Sequence, residues 1–331
     1  MSIYLPIAEI PINIFLLMLV GMVGGMMAGL FGIGGGFIVT PILIFLGIPP
    51  SVAVATSSNQ IVASSVTGFF SHWYRRSVDI KMGAFLMGGG CVGAYMGVLI
   101  FSLLKSVGQI DLVISLIYVL FLGSIGGFMF YESSVLMFGK KKRGKNTEPA
   151  EMKEINREQF LNLGLITRVQ IGFNRLKHYV TKRKLPFVTE FPKSKLKISA
   201  FLPLVVGLVA GIMVSLMGIG GGFVLIPAMI YLLKMPSNIV VGTSLFQMIF
   251  ITSLVTILHA VNTQSVDVVL SLILIFGGVI GTQIGSRMGM KVRAEKLRFL
   301  LSILILTLCL MLAANLLIEP KDIYTIEKVV E

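Results

Sequence analysis

The stretch that decides the fold is Gly32-Ile33-Gly34-Gly35-Gly36-Phe37, because the chain repeats it as Gly218-Ile219-Gly220-Gly221-Gly222-Phe223. The repetition extends beyond this motif in one order, with two shifts of a single residue. The paired residues are Pro41 and Pro227, Thr56-Ser57 and Thr243-Ser244, Gln60 and Gln247, His72 and His259, and Ser77-Val78-Asp79 and Ser265-Val266-Asp267. Chance does not produce such an ordered series, so the chain is an internal duplication.

Composition places both copies in a membrane. The 331 residues are 55% apolar and only 13% charged, about half the charged fraction of a typical soluble protein. Since a helical span needs roughly 20 apolar residues, a long uncharged stretch is a candidate for one span or several. Such stretches lie between Glu9 and Arg75, between Lys81 and Lys105, and between Lys197 and Lys234.

Each copy contains five apolar segments, which predicts an all-α integral membrane protein. They cover about residues 12–31, 37–47, 51–72, 82–104 and 111–131, then 198–217, 223–234, 238–260, 267–288 and 298–318. An odd number of crossings turns the second copy upside down relative to the first, and such inverted-topology repeats are common in transporters. The second segment of each copy is only about half a bilayer long as helix, so we expect a short broken or half-helix after each glycine run.

The basic residues test this inverted topology. If residues 139–197 are cytoplasmic and every segment crosses, nine further Lys or Arg residues lie inside and three outside. This asymmetry is what the positive-inside rule requires. A second segment that re-enters the same side would change the count in both copies together, and the sequence leaves that alternative open.

The chain divides into an N-terminal membrane repeat (1–138), a basic loop (139–197) and a C-terminal membrane repeat (198–331). The loop holds 16 Lys or Arg residues against 5 Glu. A basic segment between membrane spans indicates a cytoplasmic loop that attracts anionic lipid head groups, and not a nucleic-acid-binding protein. A surface helix, a small folded insert and a plain linker all remain alternatives for it.

The two glycine runs are the predicted substrate site. Consecutive glycines disfavour a helix interior, and irregular backbone is tolerated within a membrane only where it is buried in protein or lines a cavity. A helix begins directly after each run, so its first N–H groups point back at the loop, where they can bind an anion. The alternative is a tight turn between closely packed helices. The site residues predicted here are Gly34, Gly35, Gly36, Gly220, Gly221 and Gly222.

Polar side chains early in the third segment of each copy are predicted to complete the site. Hydroxyl and amide donors could hold the oxygens of a sulfonate, a sulfite or a carboxylate. The alternative is hydrogen bonding between helices, which is common for such residues in membranes. These candidates are Thr56, Ser57, Asn59, Gln60, Thr243, Ser244 and Gln247.

The paired histidines are candidates for a proton or gating role. His72 and His259 end matching helices, and histidine changes its charge near physiological pH. A position at the membrane interface, or at a helix C-terminus, is the alternative. Glycines spaced by four residues in the fourth segment instead predict a smooth helix face for close packing; they are Gly89, Gly93 and Gly97, with Gly277, Gly281 and Gly285.

The sequence argues against an enzyme or an ATP-driven pump. It has no HExxH, GxSxG or P-loop motif, and its four aspartates lie at segment ends or outside the segments. No carboxylate occupies the centre of a span, so a carboxylate proton relay has no candidate. We therefore expect no cofactor and no metal.

The doubled glycine motif, followed by a proline and by a Thr-Ser-rich helix that ends in histidine, resembles the TauE/SafE sulfite exporter family. The resemblance covers roughly residues 15–131 and 198–315. It implies a bacterial or archaeal cytoplasmic-membrane protein that moves organosulfur anions such as sulfite, sulfoacetate or thiosulfate, and some members are linked to other small acids. It assigns the functional signature to Gly34–Gly36 and Gly220–Gly222, with Pro41 and Pro227.

We therefore predict a secondary transporter, acting as an exporter, of a small organosulfur anion (sulfite, sulfoacetate or a related sulfonate) or a carboxylate. Alternating access between the two repeats is the expected mechanism. Two other functions stay open, an anion channel and a membrane sensor or scaffold that acts through the basic loop.

Overall fold

The first copy folds into five helices, as predicted. A computed structural model describes residues 2–108, 110–138, 188–191, 193–194, 196–289 and 294–317. Asn13 accepts the N–H of Phe15 at the start of the first helix, and Gly32 ends that helix in a left-handed conformation with φ of 68°. The helices are α1 (Ile14–Phe31), α2 (Gly36–Phe45), α3 (Pro50–Tyr74), α4 (Ile80–Ser106) and α5 (Ile110–Phe138).

The second copy repeats this order. Gly218, with φ of 61°, ends its first helix as Gly32 does in the first copy. The helices are α6 (Phe201–Met217), α7 (Gly222–Pro227, continued by the π-helical turn Ala228–Leu232), α8 (Ser237–Leu258, continued by the π-helical turn His259–Thr263), α9 (Val268–Met288) and α10 (Ala294–Leu317). The predicted all-α class and the five segments of each copy are therefore confirmed.

Each copy also begins with a small antiparallel hairpin that we did not predict. Strands β1 (Ser2–Tyr4) and β2 (Pro11–Asn13) precede α1, and β3 (Val188–Phe191) and β4 (Leu196–Ser199) precede α6. The end of the predicted 139–197 loop is thus the start of the second structural unit. The rest of that loop, 139–187, lies outside the described residues.

The hairpins fasten to the start of the fourth helix in the opposite copy. Asp267 caps α9 through the N–H of Leu270 at 3.0 Å, and its second oxygen accepts the N–H of Ile7 from the first hairpin at 3.0 Å. Asp79 caps α4 through the N–H of Met82 at 3.1 Å. Its second oxygen accepts the N–H of Ser194, from the second hairpin, also at 3.1 Å.

The two copies are joined by two pairs of parallel helices, α1 with α9 and α4 with α6. Their backbones approach at glycines, as the spacing of four predicted. A methyl group added to Gly93 would lie 2.0 Å from the carbonyl oxygen of Leu208 on α6, and one added to Gly281 would lie 2.0 Å from that of Met22 on α1. Only glycine allows such contact, so this face is the interface between the copies.

Neighbouring glycines on α4 provide a test of this interface. A methyl group on Gly89 would lie 1.9 Å from the carbonyl oxygen of Leu204, whereas one on Gly88 would meet only a side-chain carbon, at 3.6 Å. We expect Gly89→Ala to lower the melting temperature strongly and Gly88→Ala to leave it unchanged or raise it, because alanine favours a helix by about 1 kcal/mol over glycine. Thermal unfolding in detergent measures both, and equal effects would contradict the interface.

The outside of this fold is apolar, unlike that of a soluble protein, and its interior combines apolar side chains with polar ones. The interior contains fully buried polar side chains such as Thr56, Ser57, Gln60 and Ser64 of α3. Large apolar side chains cover the outside instead, among them Leu103, Leu120 and Phe276, each exposed by 65 to 67%. Four helices among the described residues are long and apolar enough to cross a membrane, at Ile14–Phe31, Ile80–Ser106, Ile239–Thr263 and Val268–Met288. The chain is a multi-pass membrane protein.

Candidate functional site

The two glycine runs meet at the centre of the fold. We call residues 32–36 the first bend and residues 218–222 the second bend. A methyl group on Gly34 would lie 3.5 Å from the Cα atom of Gly220, and one on Gly220 would lie 3.4 Å from the Cα atom of Gly34. The sequence places these residues 186 positions apart, and tertiary structure brings them into contact.

The helices that follow the bends begin side by side. A methyl group on Gly36 would lie 2.1 Å from the carbonyl oxygen of Gly218, and one on Gly222 would lie 2.7 Å from the Cα atom of Ile33. The rings of Phe37 and Phe223, the second residues of α2 and α7, have centroids 5.5 Å apart. The N-termini of these two helices therefore share one small volume.

Buried backbone donors are left without partners in this volume. The first N–H groups of any helix lack an intrahelical acceptor and need another one when they are buried. In the part of the chain that the structure describes, several N–H groups of the bends donate no hydrogen bond, and their residues are buried; they are those of Gly34, Gly35, Gly36, Gly220, Gly221 and Phe223.

The N-termini of α2 and α7, each with a partial positive charge, lie at one place, and this favours the binding of an anion. Each helix N-terminus carries about half a unit of positive charge, so α2 and α7 repel each other where they begin. An anion between them would relieve that repulsion and accept the free N–H groups. The same argument explains why anions bind at helix N-termini in general.

Helices α3 and α8 supply the walls around the bends. Ile61 and Met248, which occupy equivalent positions in the two copies, would both touch a methyl group on Gly34, at 3.1 and 3.2 Å. The hydroxyl of Ser244 donates to the carbonyl oxygen of Gly32 at 3.0 Å. The Oγ atom of Ser57 would lie 2.9 Å from a methyl group on Gly218. Both predicted serines therefore lie at the bends.

The two predicted glutamines have buried amide atoms without hydrogen-bond partners. Gln60 is 0% and Gln247 1% exposed. Neither the oxygen nor the nitrogen of the Gln247 side chain has a partner, and the oxygen of Gln60 has none either. An unpaired buried amide costs about 1–3 kcal/mol. The Oε1 atoms of both glutamines and the Nε2 atom of Gln247 are therefore free to hydrogen-bond a solute, at equivalent positions of the two copies.

Other predicted site residues form hydrogen bonds between the two copies. The hydroxyl oxygen of Thr56 accepts the N–H of Asp267 at 3.0 Å, and that of Thr243 accepts the N–H of Asp79 at 3.0 Å. Asn59 donates to the hydroxyl of Ser271 on α9 at 2.6 Å. These contacts follow the alternative that we named for them, hydrogen bonding between helices.

The two histidines differ in their surroundings. His259 is fully buried, and its Nε2 atom lies 3.1 Å from the carbonyl oxygen of Ser215. Its ring packs against that of Phe101 with centroids 4.4 Å apart. His72 is partly buried, and its Nδ1 atom lies 3.2 Å from the hydroxyl of Ser77. Neither touches a bend in these contacts, so a proton or gating role remains a prediction.

One polar group beside the second bend was missed in the sequence. The hydroxyl of Tyr118 on α5 donates to the carbonyl oxygen of Met217, the last residue before the bend. Thr40 and Ser57 share a hydrogen bond of 2.7 Å nearby. A tyrosine within an apolar segment gives no signal of its own, because only the tertiary structure reveals its partner.

The site carries no charged side chain among the residues that contact the bends. These contacts come from Gly24, Val39, Val54, Ile61, Ala210, Val214, Val241 and Met248, together with the serines described above. Within the described residues, no group of three His, Cys, Asp or Glu side chains could hold a metal ion. The bends are buried and in mutual contact, so the described conformation is closed at this point.

Comparisons with known proteins agree with this membrane architecture. The profile of the family described as "Sulfite exporter TauE/SafE" matches residues 17–312. The chain is 29% identical over 296 residues to "Probable membrane transporter protein YjnA" of Bacillus subtilis, which covers 88% of this chain and 96% of the relative. It is 25% identical over 300 residues to "Probable membrane transporter protein MJ0441" of Methanocaldococcus jannaschii, covering 87% of this chain and 90% of that one.

A plant relative matches over a shorter stretch. "Sulfite exporter TauE/SafE family protein 3" of Arabidopsis thaliana is 29% identical over 113 residues, which are 32% of this chain and 24% of the relative. No solved structure matches the chain significantly. The full-length relatives are named as transporters, which confirms the prediction of a transporter and not an enzyme.

Proposed function

The chain belongs to the sulfite exporter TauE/SafE family, and on that premise we propose that it is a secondary transporter that exports a small organosulfur anion or carboxylate. Its place among membrane transporters follows from the family and from the names of its relatives. Sulfite, sulfoacetate and related sulfonates are the first candidates, because the family name and that of the plant relative refer to sulfite.

The observation that carries the proposal is the meeting of the two bends. The bends offer only free backbone N–H groups and the partial charges of two helix N-termini. We add to them the unpaired amide atoms of Gln60 and Gln247, which lie one residue along α3 and α8 from Ile61 and Met248 and pack against Gly278 and Gly90. Such a site binds a compact anion through its oxygens without a buried cation, so it can also release the anion. We place Ser57 and Ser244 at the edge of this site. Thr56, Thr243 and Asn59 act instead in the contact between the copies.

Alternating access is the mechanism that the duplication supports. The reciprocal contacts, α1 with α9 and α4 with α6, would allow one arrangement of the copies to be exchanged for an equivalent one in which the copies trade roles. In this proposal the copies have opposite orientations in a bacterial or archaeal cytoplasmic membrane, and the segment 139–187 is cytoplasmic. Opening would separate the first bend from the second on one side at a time.

Transport into proteoliposomes tests the proposal directly. We expect saturable uptake of labelled sulfite, thiosulfate, sulfoacetate or a simple carboxylate, and acceleration of that uptake by unlabelled substrate on the opposite side. Such acceleration requires a carrier, because a channel has no step that exchange could speed up. Flux without acceleration would favour the anion channel, and absence of flux for all four solutes would contradict the proposal.

Valine substitutions in the bends would test packing together with binding. A methyl group on Gly35 would already lie 2.2 Å from the carbonyl oxygen of Gly24, and Gly221 has φ of 68°, where L side chains are strained. We therefore expect Gly35→Val and Gly221→Val to lose flux for two reasons, because each would disturb the packing of the bends in addition to any loss of anion binding. The glutamines provide the cleaner variants, which are treated in the Discussion.

A further inference from the structure

A basic and aromatic cleft lies beside the end of α3, away from the bends. It has a volume of about 370 Å³ and is lined by Trp73, Tyr74, Arg76, Val78 and Lys193. Four of these residues belong to α3 or to the turn after it, and Lys193 comes from the hairpin that precedes α6. The transport mechanism proposed above uses none of them.

The two cationic groups of the cleft keep free hydrogen-bond donors. The guanidinium of Arg76 makes no hydrogen bond or ion pair with any residue that the structure describes. Lys193 donates to the carbonyl oxygen of Val78 at 2.9 Å, so its ammonium keeps two further protons. Asp79 lies nearby, but its carboxylate is buried and occupied by the N–H groups of Met82 and Ser194.

The cleft continues into a surface that would face lipid tails. Tyr74 is 84% exposed and Trp73 45% exposed. Trp73 packs against Phe69 with ring centroids 5.4 Å apart, and Phe70, one turn earlier on α3, is 53% exposed. Aromatic residues of this kind gather where a membrane meets water. The cleft therefore offers cations at one end and apolar surface at the other.

The other copy has different residues at the positions equivalent to those of the cleft. Gln264 stands where the first copy has Arg76, directly before the matching serine, and both adopt a left-handed conformation, with φ of 49° and 54°. Ala260 and Val261 follow His259 as Trp73 and Tyr74 follow His72. There the ammonium of Lys105, from the end of α4, donates to the carbonyl oxygen of Thr263 and to the hydroxyl of Ser265. The aromatic residues and the free guanidinium are present in the first copy alone, which indicates a separate role for them on one face of the protein.

We propose that this cleft binds the phosphate head group of an anionic phospholipid. Arg76 and Lys193 would hold the phosphate, since a guanidinium binds phosphate oxygens in pairs. Trp73 and Tyr74 would lie beside the glycerol backbone, and the acyl chains would follow Phe70 along α3. The restriction to one face agrees with anionic lipids being attracted to basic segments on the cytoplasmic side. A free phosphate would make no contact with the exposed aromatic surface, whereas a phospholipid would cover it.

Lipid titration of the purified full chain tests this assignment. We expect dioleoylphosphatidylglycerol to raise the melting temperature in neutral detergent at lower concentration than dioleoylphosphatidylcholine does. The double variant Arg76→Gln/Lys193→Gln should raise the apparent Kd for phosphatidylglycerol at least about tenfold, because each charge-assisted contact is worth a factor of this order. Its melting temperature without lipid should stay close to that of the wild type, since Gln264 occupies the position equivalent to Arg76 in the other copy, and a glutamine at position 193 keeps a donor for the carbonyl oxygen of Val78.

Lys234→Gln is the matched control. Lys234 is also exposed and has φ of 57°, but it does not line the cleft, so its substitution should leave the apparent Kd unchanged. The assignment is overturned if both lipids bind equally to the wild type, or if Lys234→Gln weakens binding as much as the double variant. Displacement of the lipid by submillimolar inorganic phosphate would identify a site for free anions and also overturn it.

Discussion

Gln247→Leu is expected to abolish most transport while leaving the protein at least as stable as the wild type. Both polar atoms of the Gln247 side chain are buried without a partner. Leucine has a similar volume and removes the cost of an unpaired buried amide, about 1–3 kcal/mol. If the amide binds the transported anion, initial flux in proteoliposomes should fall at least about tenfold, since one hydrogen bond to a charged group is worth that factor.

Stability and flux must be measured on the same preparations. A residue that only packs would lose both together, whereas a binding residue loses flux and keeps or gains stability. Gln60→Leu should behave in the same way with a smaller gain in stability, because the Nε2 atom of Gln60 already donates to Ser64 at 3.1 Å. Gln283→Leu is the matched control, since Gln283 is exposed on α9. Full flux in a stabilised Gln247→Leu variant would rule out the amide as a ligand of the anion.

Asp267→Ala and Asp79→Ala are expected to destabilise the fold, each at one face. Each carboxylate caps a helix and also accepts an N–H from a hairpin. Removal of Asp79 leaves the buried N–H groups of Met82 and Ser194 unpaired, and removal of Asp267 leaves the buried N–H of Leu270 and the partly buried N–H of Ile7 unpaired. The loss of a cap and of these bonds should cost about 3 kcal/mol. Asparagine should restore part of the lost stability, because it keeps the oxygen that caps the helix. The restoration should be incomplete, because its amide N–H₂ group would face the N–H donor of the hairpin.

Hydrogen exchange distinguishes a local effect from general loosening. In Asp267→Ala, the amides of Ile7 and Leu270 should exchange faster while those of Met82 and Ser194 stay protected, and Asp79→Ala should show the reverse. Asn13→Ala is the control, because Asn13 caps α1 at an exposed position and should cost only about 1 kcal/mol. Faster exchange at both faces in either variant would contradict the independent fastening of the two hairpins.

The helices and the contact between copies could be predicted because their causes lie within single segments. Long uncharged stretches require helices in a membrane, and the spacing of Gly89, Gly93 and Gly97 requires a close neighbour for the face they share. The hairpins could not be predicted, since strands of three or four residues leave no periodic pattern. The residues that fasten them, Ile7 and Ser194, do not match in type, so the duplication gives no signal for them either.

The polar residues of α3 and α8 show where the sequence stops being informative. Thr56 and Gln60 lie one helical turn apart, and both have exact counterparts in the second copy. The sequence therefore predicted the same role for both, as ligands of the anion. In the structure the Thr56 hydroxyl accepts the N–H of Asp267, whereas the oxygen of Gln60 has no partner. The difference depends on which backbone groups of the opposite copy lie within 3 Å.

The sequence by itself determined the membrane fold, the duplication and the breaks in the helices at the two glycine runs, because hydropathy and backbone propensity act locally. Only the tertiary structure decided that the two bends touch, that the predicted threonines join the copies and that amide atoms of two glutamines stay unpaired. Hydrogen-bond partners depend on how segments nearly two hundred residues apart pack together. The residue pattern within one segment does not indicate that packing.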